Sequence, residues 1–165
     1  MKPILNIDEL AYAPWGRGDT FEAKIGAIGI KIGAQKMGYN ITIVPAGKRA
    51  FPRHSHHVNE EMFFVIEGTG ELRVGDKIFP IKQGDVIACP PGGPETAHQI
   101  VNNSNSELKY LSVSTMISPE LCEYPDSGKF GSFHHLPPGP DGTPQRMRFI
   151  NKAQTNMDDY WDGEV

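Results

Sequence analysis

Between residues 37 and 115 the chain reads as a series of short apolar or alternating runs, each closed by glycine, proline or aspartate. Segments 37–44, 61–67, 70–74, 77–81, 85–88, 97–102 and 108–115 are rich in β-branched and aromatic residues, and each has the length of a strand. Val74-Gly75-Asp76-Lys77 and Lys82-Gln83-Gly84-Asp85 are the clearest turns between them. Within 61–67 a period of two places Glu61, Phe63 and Val65 on one face and Met62, Phe64 and Ile66 on the other. No stretch sustains a helical period, so the pattern predicts an all-β fold, an antiparallel sandwich or small barrel with little helix.

The flanks read differently. Residues 1 to 20 carry a short apolar patch and then Pro14-Trp15-Gly16-Arg17-Gly18, which predicts an irregular strap with Trp15 covering an edge of the core. Lys24 to Gly33 is dotted with glycine and predicts two short strands or one loose strand with a bulge. After Pro119 the sequence turns to Pro125, Gly128, Gly131, Pro137-Pro138-Gly139-Pro140-Asp141-Gly142 and Pro144, with too few apolar residues for a second core. Its isolated hydrophobes, Phe130, Phe133, Met147, Phe149, Ile150, Tyr160 and Trp161, suit an arm laid over the barrel or over a neighbouring subunit.

Length and charge narrow the function. At 165 residues the chain is expected to be one domain with a substantial core. The net charge is −4 and no run of lysine or arginine would track a phosphate backbone, which argues against nucleic-acid binding. No window is long and apolar enough to span a bilayer. The opening Met-Lys-Pro-Ile-Leu-Asn-Ile-Asp-Glu-Leu lacks the apolar core of a signal peptide and only two cysteines occur, so a cytoplasmic protein without disulfides is expected.

The chemistry lies in the histidines. On an extended strand His54 and His56 point to one face and offer two imidazoles side by side. Glu61, at the start of the next strand, can close the group, and His98 follows a separate turn marked by glycine and proline. Imidazoles with a carboxylate suit a divalent transition metal. Glu60 and Glu61 compete for the carboxylate role, with the strand alternation and the six residues to Gly68 favouring Glu61. His57 would point away from His56, and His134 and His135 in the glycine- and proline-rich tail read as exposed or interfacial. Cys89, in the run Asp85-Val86-Ile87-Ala88-Cys89, reads as a small buried hydrophobe.

These residues resemble the paired motifs of the cupin superfamily. Gly47, His54, His56, Glu61 and Gly68 match the first, and Gly84, Pro90, Gly92, His98 and Asn102 the second. Two loops depart from the pattern: Gly47 to His54 is one residue longer, and Gly92 to His98 is lengthened by Gly93-Pro94-Glu95, which could alter how His98 approaches a metal. The resemblance implies a jelly-roll barrel, a double-stranded β-helix, with its core at about 36–117, an N-terminal strap over 1–35 and a C-terminal arm over 118–165. It also implies iron, manganese, zinc or nickel on His54, His56, Glu61 and His98. A small-molecule ligand would then meet a lining drawn from Phe63, Val65, Ile41 or Ile43, and Ile100, with Tyr39, Arg53, Gln99 and Asn102 as polar candidates.

Three classes fit such a protein. One is an enzyme acting on a small carboxylate or sugar-like substrate by dioxygenation, decarboxylation or isomerisation. Another is a non-catalytic binder or sensor. The third, a storage protein, usually has a degraded ligand set, whereas this one is complete. The enzyme is favoured, and the arm is expected to support a homodimer.

Overall fold

The structure is a computed structural model. It describes residues 2–137, 139–140, 143 and 145–152. In chain order the strands are β1 (Ala13–Arg17), β2 (Phe21–Ala27), β3 (Met37–Val44), β4 (Ser55–His56), β5 (Glu61–Glu67), β6 (Thr69–Val74) and β7 (Lys77–Lys82). They continue with β8 (Val86–Cys89), β9 (His98–Val101), β10 (Leu108–Thr115), β11 (Glu120–Tyr124), β12 (Lys129–Leu136) and β13 (Gln145–Lys152). Among the described residues a single short α-helix, α1 (Gly29–Ile32), separates β2 from β3.

All strand pairs are antiparallel and form sheets ordered β1-β2-β3-β10-β5-β8, β7-β6-β9 and β13-β12-β11-β4. The first two face each other across the core. Val44, Phe63, Val65, Ile87, Cys89, Leu108 and Tyr110 from the larger sheet meet Leu72, Ile81 and Ile100 from the smaller. This is the jelly-roll arrangement, and it follows from the two-residue period: in β5 Phe63 and Val65 are buried while Phe64 is exposed. Each such apolar side chain contributes roughly 1.5–3 kcal/mol by leaving water.

The histidine strand couples the sheets. His54 forms an isolated antiparallel bridge to His98 at the start of β9, whereas His56, in β4, pairs with Cys122 of β11. Three residues thus tie the small sheet to the third one, at one end of the barrel.

Three parts of the flanks differ from the sequence reading. Pro14 to Arg17 is not an irregular strap but part of β1, paired with β2 from Ala13↔Ile25 to Arg17↔Phe21. Gly16 permits this: at φ 147° it lies so close to β2 that a Cβ would stand 2.1 Å from the Phe21 carbonyl oxygen. Trp15 is half exposed, and its indole nitrogen donates to the Ala50 carbonyl at 3.0 Å. Lys24 to Gly33 is β2 followed by α1, because the Ile28 amide bonds back to Tyr39 and the Ile32 amide turns to the Ile28 carbonyl. The C-terminal segment is not merely a strap either. It supplies β11, β12 and β13, which extend β4 into a four-stranded sheet. Pro138, Asp141, Gly142, Pro144, Tyr160 and Trp161 lie outside the described residues.

Candidate metal centre

Backbone pairing brings the imidazoles together before any side chain acts. The His54 amide donates to the His98 carbonyl at 3.1 Å and the His98 amide returns a bond of 2.8 Å, so the two rings stand 4.8 Å apart. His56, two residues along, points to the same side with its ring 4.9 Å from His54. The insertion Gly93-Pro94-Glu95 does not displace His98. It is taken up in a 3-10 turn over Pro94–Thr96.

Glu61 stands at the convergence. Its Oε2 lies 2.9 Å from His98 Nε2, 3.6 Å from His56 Nε2 and 3.8 Å from His54 Nε2. Glu60 is exposed, and its amide donates to Thr115 Oγ1. Donor atoms of His54, Glu61 and His98 all lie within 4.8 Å of one another. Burial alone would raise the Glu61 carboxyl, but its contacts with His56 and His98 and the charge of His56 hold it well below the usual carboxylate range.

The second nitrogen of each ring fixes which atom faces Glu61. His54 Nδ1–H donates to the Pro52 carbonyl at 2.9 Å, leaving the lone pair on Nε2. Burial, with His98 nearby, pushes the His54 imidazole down to about 4, so it is neutral at physiological pH. His56 Nδ1 lies 3.3 Å from Cys122 Sγ and 3.5 Å from Glu120 Oε2. Burial lowers the His56 pKa, yet Cys122 and Glu61 outweigh it and lift the value to about 10 in the absence of a metal. His56 Nε2 is buried with no hydrogen-bond partner among the described residues. An orphaned ring nitrogen beside an ionised carboxylate and two further imidazoles is the donor set a divalent ion would satisfy.

Glu120 and Cys122 are the site residues that the sequence reading missed. Both are buried on β11, where their alternation with exposed Leu121 turns them inward. Glu120 accepts from the amides of Val58, Asn59 and Leu121 at 3.1, 2.8 and 2.9 Å and from the Asn59 side chain. With His56 they form a second donor cluster within 4.8 Å. Both cysteines are free thiols, and burial pushes Cys89, opposite Glu61, up to about 12. A cavity of about 260 Å³ opens over His54 and His56, bounded by Cys122, Tyr124, Phe133, His135 and Arg146. The Tyr124 ring stacks on His54 with centroids 6.1 Å apart.

The other candidate residues are scattered. Phe63 packs against the His98 ring at 5.7 Å, and Ile100 and Ile41 are buried. Tyr39 sits half-buried in β3 opposite Val113. Arg53 is held by Asp126 at 2.9 Å and the Gly75 carbonyl at 2.6 Å. Gln99 points away from His98, donating to Phe51 and accepting from Arg73, both at 2.7 Å. Asn102 clasps the Val44 and Ser106 carbonyls at 2.8 and 2.7 Å. His57 pairs with Glu123 at 2.6 Å outside the cluster.

Comparison with known proteins agrees with this geometry. Residues 40–114 match the cupin domain family. An uncharacterised protein of Methanocaldococcus jannaschii is 38% identical over 83 residues, covering 50% of this chain and 56% of that one. An oxalate-binding protein of Thermotoga maritima is 31% identical over 64 residues, 39% of this chain and 50% of its own. The chain thus spans about half the length of these relatives. The crystal structure of a Silicibacter pomeroyi protein described as a sugar phosphate isomerase superposes with a TM-score of 0.73 at 22% identity, over 91% of this chain and 92% of the other. No helix among the described residues is long and apolar enough to cross a membrane. The matched segment, the facing antiparallel sheets and the histidine–glutamate cluster agree, and residues 40–114 of the chain form a cupin domain.

Proposed function

We propose that His54, His56, Glu61 and His98 hold one divalent transition metal, and that the protein is a metal-dependent enzyme acting on a small anionic, oxygen-rich substrate. The observation that carries this reading is the convergence of three imidazole Nε2 atoms on one Glu61 oxygen within 2.9 to 3.8 Å, with His56 Nε2 buried and unpaired. A divalent ion there would carry a formal net charge of about +1 and keep open positions for an anionic ligand, polarising it as a Lewis acid or engaging oxygen if the metal is iron or manganese. Dioxygenation, decarboxylation and isomerisation are the reaction classes that fit.

The chain's own residues prepare the site. Pro52 and the Glu120–Cys122 pair hold the outer ring nitrogens, so the inner ones face the centre. Tyr124, pushed up to about 12 chiefly by burial, keeps its phenol proton and can donate to a bound anion. Phe63 packs against His98 from the hydrophobic core. The partial similarity to an oxalate-binding protein supports a carboxylate among the ligands.

A second reading, non-catalytic capture of the same kind of ligand, draws on one observation. Neither Glu120, saturated by donors, nor Tyr124, held protonated, offers a free base beside the histidines. Oxygen uptake and product analysis on metal-loaded protein with small carboxylates and hydroxy sugars separates the two: turnover that disappears on chelation supports the enzyme, and saturable binding without turnover supports capture.

A further inference from the structure

The β12–β13 hairpin gives the cavity a second chemical end. Its two strands carry Lys129, Arg146, Arg148 and Lys152 and no carboxylate, in a chain where 20 acidic side chains outnumber 16 basic ones. His135 pairs across the hairpin with Arg146, and Phe133 with Arg148, so alternation sets all four on one face. That face bounds the site. Arg146 and His135 line the cavity over His54 and His56, while Arg148 and Lys129 line an adjoining one that reaches His54 and Tyr124.

Among the described residues the two arginines have no carboxylate of their own. Ion pairs to Asp126 engage Arg53 and Arg73, and among the described residues none forms to Arg146 or Arg148. Guanidinium groups two residues apart on one strand face repel each other unless an anion lies between or beside them, and their planar forks match phosphate or carboxylate oxygens in pairs. The metal centre accounts for one anionic group at the floor of the cavity. It leaves the cationic rim without a function.

We propose that the site takes a two-ended small ligand: a chelating hydroxy-acid or hydroxy-carbonyl group at the His54–His56–Glu61–His98 centre, and a second anionic group, phosphate or carboxylate, on Arg146 with Arg148 and His135 at the rim. This rests on the metal-centre reading above and adds to it the substrate's length and second charge. Arg146 is then the residue that selects two-ended anions over oxalate-sized ones.

Calorimetric titration of the full chain loaded with one equivalent of Mn²⁺ tests this with three probes. Glycerate carries only the chelating end, 3-phosphoglycerate adds a terminal phosphate, and malate adds a second carboxylate. One of the two-ended probes is expected to bind about tenfold or more tightly than glycerate, and which one it is identifies the rim's anion. Arg146→Ala should weaken that probe by a much larger factor than it weakens glycerate, Arg146→Lys should restore part of the preference, and Lys31→Ala, a charge removed from α1, should leave it intact. Equal affinity for all three probes, or a preference that survives the Arg146→Ala/Arg148→Ala double variant, overturns the inference while glycerate binding upholds the metal-centre reading. Failure of the protein to load Mn²⁺ overturns the metal-centre reading itself.

Discussion

Cys122 Sγ lies 3.3 Å from Nδ1 of His56, a ring whose other nitrogen faces Glu61 at 3.6 Å. The imidazole therefore spans two donor clusters, with Glu120 and Cys122 behind it and His54, Glu61 and His98 in front. Only a proton on Nδ1 leaves Nε2 free to hold a metal, so the groups behind the ring determine whether it can act as a ligand.

Glu120→Gln tests that dependence. The amide keeps the shape of the carboxylate but loses the charge that favours a proton on His56 Nδ1 at 3.5 Å. Metal affinity measured against a chromogenic chelator, on a variant shown by circular dichroism to be folded, is expected to fall roughly 10- to 100-fold, and Tm should fall as well because the amide loses one oxygen that accepts from Val58 and Leu121 or from Asn59. Unchanged affinity would mean that the back of the ring plays no part.

The metal-free protein should have a stability maximum near pH 6.5, the ordinary value of an imidazole. His56 is raised from 6.5 to about 10, because its partners outweigh burial, so the folded state holds the extra proton. That contribution is complete below 6.5 and is lost as pH rises toward 10. His54 is lowered from 6.5 to about 4, chiefly by burial, so its contribution is complete above 6.5 and is lost as pH falls toward 4. Glu61, held low by its histidine neighbours, adds to the acid limb. Tm of chelator-treated protein should peak near pH 6.5, and His56→Ala should flatten the alkaline limb. A Tm that climbs steadily through the alkaline range contradicts this assignment.

Gly68 is required by geometry. Its φ is 89°, and a Cβ there would meet the Glu107 carbonyl oxygen at 2.4 Å at the β5–β6 turn. Gly68→Ala should destabilise the fold by roughly 2 kcal/mol or more in a urea titration. A loss within a few tenths of a kcal/mol would show that the turn relaxes freely.

The hairpin edge predicts self-association. In β13 every residue is exposed, including Met147, Phe149 and Ile150, and among the described residues no strand pairs with its outer edge, an arrangement that favours pairing with a second chain. Light scattering of the full chain is expected to give twice the monomer mass, and Phe149→Glu should shift it toward monomer. A wild-type protein of monomer mass would leave this face with another role.

The barrel was legible in the sequence because its strands are half-buried. Runs 37–44, 61–67 and 108–115 coincide with β3, β5 and β10, whose buried positions recur every second residue or close to it. The flanks lacked that signal. β1 contains Pro14 and Gly16, β12 contains Gly131, and β13 is exposed along its whole length, so no inward face marks any of them as a strand. Ile28 to Gly33 alternates like a strand yet turns into α1, since backbone bonds to Ile28 and Gly29 override the pattern. His54, His56 and Glu61 were readable from spacing, and His98 from its own motif. Glu120 and Cys122 were not, since Cys122 follows His56 by 66 residues on a strand the composition concealed.

The most direct test of the metal centre is elemental analysis of protein purified without added metal or chelator, run beside His54→Ala and His98→Ala. The account predicts about one equivalent of a transition metal in the wild type and its loss in both variants, with the barrel still folded because its core does not depend on the ion. Full occupancy in either variant, or a wild-type protein that takes up no metal even when it is supplied, contradicts it.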